Sequence, residues 1–215
     1  MEGRVICGFQ PAPIGSNPAR WPTPANIRYR IALPGLPDIT RDRFRGIFRQ
    51  ACDTWESVCG VWFDEVESGE SLTVMAMSQQ PGAVLADAEL PYLQGRTTPL
   101  RMRYDSTEPW GIGRPIPANR IDLYVVTLHE IGHVLGLDHG GTSLMRPIYD
   151  PKMVVGDWER QLTVQAYGPP RPRSTPTNPG SPSNPAADAE LFKLVTRGGG
   201  LVLLVREGLT VERME

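Results

Sequence analysis

Apolar and polar positions first alternate at Ile27, Tyr29 and Ile31, with Arg28 and Arg30 between them. Period two predicts a half-buried strand. The period then lengthens. Thr40 is a ready N-cap, and beyond it Phe44, Ile47, Phe48, Ala51, Trp55 and Val58 recur at helical spacing, giving one apolar face. Arg41, Arg45 and Arg49 form a stripe elsewhere on that helix, readable as a solvated face or as a docking surface. Short apolar runs near 61–66, 72–77, 84–88 and 100–104 predict further strands. Helical patterns follow over about 119–135 and 157–167. Strands first and helices later give an α+β domain over 27–168, preceded by an extended, proline-rich segment at 1–26.

Beyond 168 the pattern disappears. Residues 169–188, PPRPRSTPTNPGSPSNPAAD, are dense in Pro, Ser and Asn with no periodicity to bury, and read as a linker. In the tail, 189–215, apolar runs at 191–195 and 201–205 flank Arg197-Gly198-Gly199-Gly200, which predicts a hairpin, with a third strand at 209–212. A piece this short does not fold readily alone. The oligomeric state stays open.

The predicted helix at 119–135 carries the chemistry. His129, His133 and His139 are the only histidines, and all lie in the run HEIGHVLGLDH. On a helix, His129 and His133 sit one turn apart on one face, so both imidazoles can reach one metal ion. Glu130 is rotated by about 100° from His129 and can reach a water on the metal's open side. Gly136 tolerates a positive φ and allows the sharp turn that returns His139 as a third ligand. Three protein ligands leave a fourth position for water, which marks a catalytic zinc beside a carboxylate base.

The run resembles the signature H-E-x-x-H-x-x-G-x-x-H of the metzincin metallopeptidases. Ser143-Leu144-Met145-Arg146-Pro147-Ile148-Tyr149 is similar to the turn segment of their matrixin branch. The resemblance implies a twisted, mixed five-stranded sheet with three main helices. It implies that Met145 is the methionine of the "Met-turn" beneath the metal, and that Pro147 and Tyr149 wall the pocket for the side chain after the scissile bond. Trp21 with 27–31, Val84-Leu85-Ala86-Asp87-Ala88, Arg103-Tyr104-Asp105 with Glu108 and Trp110, and Gln165-Ala166-Tyr167-Gly168 resemble further family segments in order. Through the 84–88 segment, the resemblance implies that Leu85 and Ala86 bind substrate backbone as an added antiparallel strand.

Departures from the family pattern matter as much. Matrixins carry a second, structural zinc on histidines, and no histidine remains here for one. Asp87 and Arg103 stand at two of those positions on neighbouring strands, as an ion pair replacing the metal or as two separate exposed charges. One zinc is therefore expected, with no structural second zinc. Asp105 and Glu108 match family calcium ligands, but 77–82 reads MSQQPG rather than a Gly- and Asp-rich loop, so Ca2+ ligands and ordinary surface carboxylates both stand as readings. Cys7-Gly8 is similar to the family's "cysteine switch", in which a thiolate blocks the zinc, although Ile6 replaces the motif's arginine. Cys52 and Cys59, if on one helix, lie about 10 Å apart and read as buried thiols rather than a disulfide.

A net charge of −2 gives no general drive towards nucleic acid or anionic membrane. No apolar run reaches the roughly 18 residues that span a bilayer. The function expected is a zinc-dependent endopeptidase acting on a peptide or protein substrate. Two other readings stay open: a catalytically silent zinc-stabilised structural or binding module, and a hydrolase of cell-wall peptides. The family implies an extracellular or virion-associated setting, while MEGRVICGFQ has no apolar signal-peptide core.

Overall fold

The alternating segment forms β1 (Ala25–Ile31), with its odd-numbered residues buried and its even-numbered ones exposed or half-buried. A small turn pairs β2 (Gly35–Leu36) with β3 (Ile39–Thr40). Next comes α1 (Arg41–Glu56), capped by Thr40, whose Oγ1 accepts from the Arg43 amide at 3.4 Å. The helix ends two residues before Val58. There the last turn tightens, with the Val58 amide donating to Trp55 three residues back, and Val58 is buried just past the end. The protein is described here from a computed structural model covering residues 5–7, 20–78, 84–91 and 98–173, and the backbone of 192–197 and 201–206.

Four more strands follow: β4 (Val61–Glu65), β5 (Leu72–Met77), β6 (Ala86–Ala88) and β7 (Leu100–Asp105). They join β1 in a five-stranded sheet of order β4-β1-β5-β7-β6. All neighbours are parallel except β6, which runs antiparallel to β7 at one edge. A mixed sheet with three helices makes this an α+β fold. The arginine stripe lies on a face open to solvent, with Arg41 exposed and Arg45 and Arg49 half-buried, and it also bonds back to its surroundings. Arg41 donates to Ile31 O, Arg45 to Glu65, and Arg49 to Glu56 and Phe63 O.

The segment that predicted a helix from 119 starts differently. Ile121 and Asp122 form β9 (Ile121–Asp122), a short parallel pair with β8 (Trp110–Gly111). Asp122 keeps an extended backbone and accepts from the Tyr124 amide through Oδ1, so the helix α2 (Leu123–Val134) starts only there. Every α2 residue except Tyr124 is buried, as befits a helix apolar all round. Trp55 Nε1 donates to Leu128 O at 3.1 Å and fastens α1 to it. At its far end Trp21 Nε1 donates to Val134 O and Tyr167 Oη to Leu135 O, so two carbonyls that the helix cannot satisfy itself are satisfied.

The last helix of the domain is α3 (Asp157–Tyr167). Composition puts 169–173 in a linker, yet the first compact unit runs to Arg173. Arg171 donates to Gly60 O and Ala25 O, and its guanidinium lies 4.4 Å from the Trp62 ring centroid. The second unit, Ser174–Glu215, contains an antiparallel hairpin of β10 (Phe192–Arg197) and β11 (Leu201–Arg206). The linker beyond 173 and the third strand expected at 209–212 lie outside the described residues. Among the described residues, no helix is long and apolar enough to cross a membrane.

Candidate metal centre and substrate cleft

Helix α2 delivers His129 and His133 one turn apart, both fully buried. Gly136 then adopts φ +89°, and the Gly136 and Leu137 amides donate back to His133 O and Gly132 O, closing the helix. This turn brings His139 to the other two. The ring centroids lie 4.8 Å (His129–His133), 5.4 Å (His129–His139) and 4.9 Å (His133–His139) apart.

The donor set fits a zinc ion. The Nδ1–H groups of His129 and His133 donate to Leu144 O at 2.8 Å and Leu137 O at 2.7 Å, which leaves Nε2 as the lone-pair nitrogen on each ring. These two Nε2 atoms face one another at 3.1 Å. A tetrahedral ion with bonds of about 2.1 Å needs its nitrogens roughly 3.4 Å apart. Burial depresses both histidines, His129 to about 3 and His133 well below the ordinary value, so the imidazoles are neutral as ligands must be. Two neutral lone pairs pointing at one another call for a cation between them.

Glu130, also fully buried, sits beside this corner. Its Oε1 has no hydrogen-bond partner among the described residues. Burial, with the nearby charge of Asp87, raises its carboxyl well above the usual range. Its Oε2 accepts from the Cys7 thiol at 3.6 Å. Cys7 belongs to the cluster as well: one ligand atom each from Cys7, His129, His133 and His139 all lie within 4.8 Å of one another.

Two segments flank residues 5–7. One is Leu85 and β6, with Leu85 and Ala86 buried; the other is 147–149, where Pro147 is exposed and Tyr149 buried. Tyr149 Oη accepts from the Asp122 amide at 2.9 Å, which fixes this second segment to the start of α2. The Ile6 amide donates to Pro147 O at 2.9 Å, and Ile6 O accepts from the Ala86 amide at 3.0 Å. Residues 5–7 run parallel to β6 at Cys7–Ala86 and antiparallel to the second segment at Val5–Ile148.

Met145 is fully buried and packs against α2 at Gly132. A Cβ on Gly132 would stand 2.5 Å from its Sδ, so Gly132, between the first two histidines, is what admits the methionine against α2. A sequence model of the matrixin family matches residues 20–156. The chain belongs to the matrixin family of metallopeptidases. Matrix metalloproteinase-16 of Rattus norvegicus and of Homo sapiens are each 31% identical to it over 166 residues, covering 66% of this chain and 27% of theirs. Stromelysin-3 of Rattus norvegicus is 31% identical over 175 residues, covering 74% of this chain and 33% of its own. Matrix metalloproteinase-19 of Homo sapiens is 31% identical over 140 residues, covering 58% and 25%. The chain thus spans about a quarter to a third of the length of these relatives.

Other expected residues of the matrixin domain fall as follows. Asp87 and Arg103 pair directly, and are not two separate charges. Asp105 and Glu108 are buried, which corrects their reading as ordinary surface carboxylates; Asp105 Oδ1 accepts from the Thr107 amide and hydroxyl. Cys52 and Cys59 are buried thiols. Glu159 escaped the sequence reading because a carboxylate in a first helical turn reads as surface. It is fully buried and accepts from Ser143 Oγ, the Met145 amide and the Gly156 amide, which ties α3 to the segment 143–145.

Proposed function

We propose that this chain is a zinc-dependent endopeptidase whose own N-terminal segment occupies its cleft. The observation that carries the reading is the convergence of His129, His133 and His139 beside the buried Glu130. When bound there, zinc would acidify a water and polarise a peptide carbonyl. Glu130 acts as general base: it takes the proton as the carbonyl is attacked and hands it to the departing amine. Leu85 and Ala86 receive substrate backbone as an added antiparallel strand, and Pro147 and Tyr149 wall the pocket for the side chain after the scissile bond. Met145 supports the three-histidine corner from below.

Cys7 is the inhibitory ligand in this reading. Residues 5–7 use the same edge as substrate but run parallel to β6, opposite to the direction assigned to substrate, and bring the Cys7 thiol to the fourth position. Four protein ligands make a closed site, which is also the mark of a structural zinc. That geometry favours one second reading, a catalytically silent zinc-stabilised module.

One experiment separates them. Zinc content is measured, and a peptide library is digested by the wild type and by Cys7→Ala, with and without a zinc chelator. The endopeptidase reading expects one zinc per chain and chelator-sensitive cleavage that rises in Cys7→Ala. Zinc binding with no cleavage in either protein would leave the silent module standing. Cleavage only of cell-wall peptides would change the substrate class and leave the chemistry intact.

A further inference from the structure

Two glycines follow the third imidazole, and the indole of Trp158 covers both. A Cβ on Gly140 would stand 2.9 Å from Cη2 and from Cζ2 of that ring. One on Gly141 would stand 3.1 Å from Cδ2 and from Cε3. The two positions differ in why they are glycine. Gly141 has φ +65°, where any side chain is strained. Gly140 lies outside that region, so its backbone suits any residue, and the three nearest atoms to its missing Cβ all belong to Trp158. At Gly140 the neighbour that a side chain would meet is therefore the Trp158 ring.

The helical turn that carries Trp158 is held, while the residue itself is 36% exposed. It is the second residue of α3, and its neighbour Glu159 fastens that turn to Ser143, Met145 and Gly156. The same loop returns through the Gly140 amide, which donates to Met145 O at 3.0 Å. His129 and His133 ride on a buried helix, whereas His139 rides on this loop, adjacent to Gly140. We infer that Trp158 is a positioning residue for the third metal ligand: its indole is the platform on which Gly140 and Gly141 lie, and it sets where His139 presents its ring. This rests on the zinc reading proposed above.

The test is zinc affinity of the metal-free protein, read by competition with a chromophoric chelator, together with the visible absorption of the cobalt(II)-substituted protein. Trp158→Ala is expected to weaken zinc about tenfold, as loss of a residue supporting a ligand commonly does, and to change the cobalt band shape. Trp158→Phe keeps a flat ring and should bind close to wild type. Gly140→Ser should weaken zinc by steric conflict, and Gly140→Ser with Trp158→Ala should bind better than Gly140→Ser alone. That reversal cannot come from a general loss of stability. If Trp158→Ala does not fold, Trp158→Leu replaces it in the same comparison. A wild type that fails to bind zinc would sink the zinc reading itself. A wild type that binds, with Trp158→Ala or Trp158→Leu equal to it in affinity and cobalt spectrum, or with no gain in the double variant, overturns the role of Trp158.

Discussion

Asp87 and Arg103 face one another across β6 and β7 and share two hydrogen bonds, Nε to Oδ1 at 2.8 Å and Nη2 to Oδ2 at 2.7 Å. The parallel fork geometry is the strong form of an arginine–carboxylate pair. It joins the edge strand β6 to the rest of the sheet. Arg103 is 38% exposed and Asp87 14%, so water screens the pair. Arg103→Met should cost about 1 kcal/mol, a fall in melting temperature of about 2–4 °C for a domain of this size. High salt should shrink the difference. Because the chain's three histidines all meet at one site, elemental analysis should return one zinc per chain and not two.

Glu130 bonds to Cys7 but is not itself in the ligand cluster. Glu130→Ala should therefore bind zinc with the wild-type stoichiometry while peptide turnover falls by about 10²–10⁴-fold, the usual weight of a general base. Wild-type turnover in that variant would remove Glu130 from the mechanism. Loss of zinc along with activity would make it a structural support instead.

The N-terminal segment predicts a graded release. Cys7→Ala removes the thiol from the fourth position, and turnover should rise. Ile6 is still fully buried and still bonded to Pro147 and Ala86, so the segment keeps a hold that does not depend on the thiol. Adding Ile6→Asp places an unpaired carboxylate in that buried site, and turnover should rise further. Equal activity of the wild type and both variants on a fast peptide substrate would mean that the segment does not block the cleft.

The metal corner was legible because its geometry is local: four-residue spacing on one helix and a glycine that can turn the chain. The strand at 72–77 and the helix at 157–167 were legible for the same reason, since periodicity reports which face is buried. What escaped depends on distant partners. The start of α2 is set by Ile121 and Asp122 pairing with Trp110 and Gly111, which no local pattern announces. Glu159 and Glu108 are carboxylates in polar surroundings in the sequence, and only the folded chain buries them. Gly132 is crowded by Met145, a contact that helical periodicity does not report. The return of residues 5–7 to the metal corner was offered only by the resemblance of Cys7-Gly8 to the cysteine switch, because the contact with 147–148 spans more than a hundred residues, beyond any window of periodicity.

Glu56, at the end of α1, anchors the strap that follows α3. Its Oε1 accepts from Arg49 Nη2, the Phe63 amide and Arg173 Nη2, and Arg173 also reaches Asp64 and Phe63 O. Burial alone would raise the Glu56 carboxyl, but the hydrogen bonds from Arg173, Phe63 and Arg49 outweigh it and hold it below 4.5. A carboxyl with a depressed folded value binds fewer protons folded than unfolded, so its contribution is complete above the unfolded value of 4.5 and fades as pH falls through the folded one. Glu56→Gln should therefore lower stability at neutral pH by about 1 kcal/mol, a modest figure because the arginines are half-exposed. Below pH 4.5 the two proteins should converge, as the wild type loses what the variant never had. Thermal melts of both from pH 3 to 7 test this, and a gap that stays constant across the range would show that the Glu56 charge does not hold the strap.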